Sequence, residues 1–179
     1  MTHDRVLAID DLHTLALGAY AFFCSFLILL CFKADVWETG EATEEARIAR
    51  SVDRMKPELA EYYRGLRSQG HRPTEIQELS PSMFGTASSP SWVPKAAETN
   101  YFLGYARTLI LNYGRKLPNA PTLLAAVDCL LRCRELVQTH RYRFPTDALQ
   151  DRCPGKGLDF VSNELHSVLF LVGVHSLVW

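Results

Sequence analysis

Charged residues stop at Asp11 and do not resume until Lys33. Within that gap, residues 15–32 read LALGAYAFFCSFLILLCF, eighteen positions with only Tyr20, Ser25, Cys24 and Cys31 even mildly polar. At a rise of ~1.5 Å per residue, such a run makes ~27 Å of helix, close to the ~30 Å hydrocarbon core of a bilayer. Leu12, His13 and Thr14 extend the segment to residues 12–32, with Asp10 and Asp11 at one end and Lys33 and Asp35 at the other. The pattern predicts one transmembrane helix. A helix on the surface of a soluble core normally keeps a polar stripe, and none is visible here. A buried core helix is therefore the second reading. A cleaved signal peptide is the third, because Asp4, Asp10 and Asp11 outweigh Arg5 and the apolar run is too long.

The pattern then changes to a helical period. Thr43 suits an N-cap, and Glu44 and Glu45 place negative charge in the first turn. Ile48, Val52, Met55, Leu59, Tyr62 and Leu66 follow at steps of four and three, a heptad-type stripe. Pro57 lies within it without disturbing its phase, so a kinked continuation or two collinear helices are expected. The stripe is the candidate partner-binding surface, with packing against the chain's own helices as the plainer use. Thr74 with Gln77 resembles a capping box and predicts a short helical turn through Leu79.

Residues 80–95, SPSMFGTASSPSWVPK, hold three prolines and a glycine and predict a loop. Its Ser80-Pro81 and Ser89-Pro90 dipeptides fit proline-directed phosphorylation, a pattern common by chance. Two helices are expected next, at 96–113 and 121–139, joined by a short connection that favours an antiparallel pair. Gly114 is the expected stop of the first. On the second, Asp128, Arg132 and Glu135 have the spacing of an ion-pair ladder. After the break at 154–157 the chain becomes apolar, and residues 165–179 carry no charge apart from any on His166 and His175. Fifteen residues are short for a span, so burial or membrane-surface attachment is favoured over a second crossing.

Composition adds constraints rather than a function. Nineteen basic and twenty acidic residues give a net charge of -1, which offers no general attraction to nucleic acid. Five cysteines and no glycosylation sequon fit a reducing compartment. Lys33, Arg47 and Arg50 outnumber Arg5 around the apolar segment, so the positive-inside bias puts the C-terminal domain in the cytoplasm. Trp37 would then rest at headgroup level. Cys31, near the cytoplasmic end of the expected span, is a candidate for palmitoylation. Cys129, Cys133 and His140 share a helix side, but the histidine is two turns away, too far to share a metal ion. No local catalytic, cofactor-binding or metal-binding motif is present.

The expected architecture is mostly α: one N-terminal transmembrane helix followed by a small irregular helical domain containing an antiparallel helix pair. The divisions fall at 1–11 for a short tail, 12–32 for the span and 33–79 for a juxtamembrane amphipathic region. The loop at 80–95, the helix pair at 96–152 and an apolar segment at 153–179 follow. The expected function is that of a membrane-tethered adaptor or accessory subunit of a membrane complex, with a protein partner and without cofactors. The alternatives are a membrane-bound enzyme whose site is assembled from distant residues, or a soluble helical interaction domain with 12–32 buried.

Overall fold

The structure is a computed structural model and describes residues 16–86 and 89–139. The N-terminal tail at 1–11, residues 12–15 of the expected span, residues 140–152 and the apolar segment at 153–179 lie outside the described residues, and His140 with them. What is described is mostly helical and contains no strand. Four helices follow in order: α1, Tyr20–Lys33; α2, Glu44–Ser68; α3, Ala96–Tyr113; and α4, Ala120–Thr139.

The helical segment Ala16–Lys33, which contains α1, is apolar and long enough to cross a membrane. It also packs inside the domain, against α3, α2 and the short turn before α3, and 56% of its residues are buried there. Cys24, Leu27, Ile28 and Cys31 have no exposed surface. Ser25 is buried too, and its hydroxyl donates to the Phe84 carbonyl at 3.0 Å. Burying a hydroxyl without a partner costs roughly 1–3 kcal/mol, so this bond matters to the interior. Trp37, expected at a headgroup, is instead 8% exposed within the domain.

A tight turn follows α1. Asp35 and Glu38 take positive φ angles of 43° and 52°, which cost strain for residues other than glycine. Local bonds hold the turn. Asp35 Oδ1 accepts from the Thr39 backbone N–H at 3.0 Å and from its hydroxyl at 2.9 Å. The Thr39 backbone bond is the main reason the Asp35 carboxyl sits below its ordinary range, with Arg47 adding to it. Lys116 reaches across to donate to the Val36 carbonyl at 2.9 Å and to Glu38 at 2.6 Å.

Helix α2 runs unbroken through Pro57, and Thr43 caps it by accepting from the Ala46 N–H at 3.3 Å. Its stripe is occupied by the chain itself. Val52, Met55 and Leu59 are buried, while Ile48, Tyr62 and Leu66 are half-buried against the same core. The expected helical turn from Thr74 to Leu79 is absent; that stretch has no regular structure and bends at Gln77. Tertiary contacts outweigh the local capping signal there. The Ile76 N–H donates to the Tyr63 hydroxyl at 3.4 Å, Glu75 pairs with Arg67, and Leu79 is buried.

The loop after it carries a 3-10 turn, Pro81–Phe84, and is anchored by aromatic rings. Phe84 is fully buried, with its ring centroid 5.6 Å from Phe32 and 5.7 Å from Trp92. Gly85 has φ of 71°, and a Cβ there would collide with the Ser89 carbonyl, so only glycine allows this fold-back.

Helix α3 matches its expected bounds, and α4 begins one residue early. Arg107 binds Asp128 at 2.6 Å, and Arg134 donates to the Asn100 carbonyl. Positions that rise along one helix fall along the other, as in an antiparallel pair. Asp128 thus bonds across the pair to α3, where the sequence suggested a ladder within α4. Gly114 does not supply a left-handed stop, since its φ is -55°. Its missing side chain makes room instead, because a Cβ would lie 2.7 Å from the Ile110 carbonyl oxygen. The left-handed residue is Asn119, with φ of 53°. Gly104 has a comparable role on α3, where a Cβ would strike the Tyr62 hydroxyl.

Candidate functional site

Three elements converge on one carboxylate, that of Glu58. The residue follows Pro57 on α2 and lies three positions after Met55 and four before Tyr62, on the flank of the apolar stripe. Its Oε1 accepts from Trp37 Nε1 at 3.0 Å and from the Tyr113 hydroxyl at 2.6 Å. Its Oε2 accepts from the Tyr105 hydroxyl at 3.3 Å. Tyr105 and Tyr113 stand eight residues apart on α3, a little over two turns, and both hydroxyls reach Glu58 on α2. Bonds to an ionised acceptor are among the stronger ones in a fold, at about 1.5–3 kcal/mol each.

Ring contacts join the two ends of this network. Tyr105 touches Phe102 at 5.4 Å between centroids, Phe102 touches Trp92 at 4.8 Å, and Trp92 touches Phe84. Phe84 touches Phe32, which lies 6.1 Å from Trp37, and Trp37 lies 5.8 Å from Tyr113. The aromatic path leaves Glu58 at Tyr105 and returns to it at Tyr113. It links α1, the loop, α3 and the turn before α2 into one circuit that Glu58 closes.

The electrostatics fit a clamp better than a reaction centre. Burial pushes the Tyr113 phenol up to about 12, with its bond to Glu58 and the charge of Glu58 acting in the same direction. Burial and then the Glu58 charge raise Tyr105 further still. Both phenols stay protonated at neutral pH and serve as donors. All three donors are aimed at the carboxylate, so its oxygens are engaged in holding elements together. A second polar contact of this kind lies nearby, where Trp92 Nε1 donates to Thr99 Oγ1 at 2.7 Å and Thr99 is fully buried.

Trp37 and the α2 stripe meet the network, whereas the candidate cysteines fall elsewhere. Cys31 is wholly buried below the network, whereas acyl transfer to a thiol requires exposure. Cys133 is buried and Cys129 half-buried on α4. No group of three His, Cys, Asp or Glu side chains among the described residues could hold a metal ion. Glu58, Tyr105, Tyr113 and Thr99 were not legible as a cluster. The available signal was an acid on the flank of an apolar stripe, where a solvated face would not put one. No protein-family model, curated protein or solved structure matches the chain.

Proposed function

We propose that this chain is a helical interaction module, acting by contact rather than by chemistry, in which α1 serves as the central core helix. The observation that carries the reading is the interior face of α1: four residues with no exposure beside a Ser25 hydroxyl bonded to the Phe84 carbonyl. A helix that left for the bilayer would forfeit those contacts and strand the Phe84 backbone oxygen. The Glu58 clamp supports the non-catalytic part of the reading, because its acid and phenols bond to one another across the packed helices.

A second reading keeps α1 as a membrane tether of an adaptor or accessory subunit, with the following domain cytoplasmic. Its support is the length and apolarity of Ala16–Lys33, and the exposure of Leu17 at 45% and Phe22 at 44%. Phase partitioning of the full-length protein in a cloud-point detergent at neutral pH separates the two. The core-helix reading expects the aqueous phase, and recovery in the detergent phase would overturn it. Co-purification under mild conditions then identifies the protein partner.

A further inference from the structure

The outer side of α1 is apolar from end to end. Ala19, Phe22, Phe26, Leu29 and Leu30 recur there at helical spacing, and the first charge on that side is Lys33. Phe22 is 44% exposed, and the others are half-buried. Ala19, Phe26, Leu29 and Leu30 pack in part against the core, which leaves Phe22 as the large apolar group on this side facing water.

The arrangement of helix ends indicates what can reach it. Trp37, just past α1, packs at a tilt against Tyr113 at the end of α3, and Lys116 bonds to the Val36 carbonyl. The first half of α1 therefore lies toward the start of α3. Helix α4 runs back along α3 and ends at Thr139, beyond the Arg134 bond to Asn100. The chain thus leaves α4 at the same end of the domain as Phe22. Forty residues follow, and the last fifteen are uncharged apart from two histidines. Residues 140–164 can extend up to ~3.3 Å each, ample to bring that segment alongside α1, whose helical run from Ala16 rises only ~27 Å.

We propose that the apolar C-terminal segment, residues 165–179, docks on the outer face of α1 and completes the core around that helix. The match is one of absence of charge and point of departure. Residues 165–179 hold no Asp, Glu, Lys or Arg, and burial against α1 satisfies both apolar surfaces at once. The proposal rests on the core-helix reading of α1.

The test places the photo-crosslinking analogue p-benzoylphenylalanine at position 22 of the full-length chain, in the presence of phosphatidylcholine vesicles. Irradiation is expected to give a cross-link within one chain, to a peptide from 165–179. Capture of lipid would overturn this proposal and the core-helix reading together. Capture of a second copy, or no capture, would overturn this proposal alone. As a second measurement, Phe22→Glu should leave the domain folded yet speed proteolytic clipping between 140 and 164 at least severalfold. Unchanged clipping in a folded Phe22→Glu variant would also overturn it.

Discussion

Helices α1 and α2 bury their inner faces in the same core but announce themselves in opposite ways. On α2 apolar residues keep to one side, and exposed Asp53, Arg54, Glu61 and Arg64 cover the other. On α1 they occupy every side, so composition shows that the helix is dry without showing what keeps it dry. Lipid and protein interior satisfy the same apolar surface. The orientation of α2 could be read from its period, but the surroundings of α1 come only from tertiary contacts.

The sharpest way to break that comparison is to place a charge on each face of α1. Leu27 has no exposure, and an unpaired arginine there should cost about 5 kcal/mol or more, comparable to the whole stability of a small domain. Leu27→Arg is expected to unfold the protein, seen as loss of the cooperative thermal transition. Phe22→Arg faces outward and should cost less than about 2 kcal/mol. Equal damage from both would mean that α1 has no distinct inner face.

Much of α2, α3 and α4 was legible because the helical period agreed with the fold there, reinforced on α2 by its cap. Thr43 caps α2, the stripe faces the core, and α3 spans the expected residues. Legibility failed where a distant partner decided the outcome. The Thr74 and Gln77 capping signal lost to Tyr63 and to burial of Leu79, both reached only once α2 is in place. Trp37 suits a headgroup and a buried clamp equally well until Glu58, twenty-one residues away, is known to accept its N–H. The Glu58 cluster draws on three elements, and no local pattern records such a meeting.

The clamp sharpens the comparison from the side of α2, since Glu58 is the polar residue through which that helix holds the turn after α1. Glu58→Ala leaves the Trp37, Tyr105 and Tyr113 donors without their acceptor, and should destabilise the fold by about 3 kcal/mol or more. Urea denaturation reads the change as a lower midpoint with an unaltered slope. Glu58→Gln keeps one carbonyl acceptor and should lose less. If the alanine variant is as stable as the parent, the clamp contributes nothing and packing alone joins α2 to α1.

The phenols make a smaller effect that pH can reach. An unfolded tyrosine ionises near pH ~10, whereas Tyr113 in the fold is raised to about 12. Between those values the unfolded chain has released a proton that the native state still holds. Stability from this group is therefore complete below pH ~10 and is lost as pH rises toward about 12. Tyr63, raised to about 12 chiefly by burial, acts in the same window. Alkaline unfolding should be steep there, and Tyr113→Phe should flatten it. A Tyr113→Phe profile identical to the parent's would assign the alkaline loss to other groups.

The smallest expected effect tests the local side of the contrast. Helix α2 has its own start signal, with the Thr43 oxygen accepting from Ala46 and two acids in the first turn. Helix α1 has none: no side chain caps it, its first turn holds no acid, and a looser turn at 16–19 precedes it. Thr43→Ala should thus cost about 1 kcal/mol, while Thr43→Ser retains the acceptor and should cost little. Hydrogen exchange should locate the loss in the first turns of α2, with α1 unchanged, because α1 depends on its packed neighbours for order. If protection falls equally in both helices, the start of α2 is not locally determined, and the distinction between a self-specified helix and a context-specified one fails for this fold.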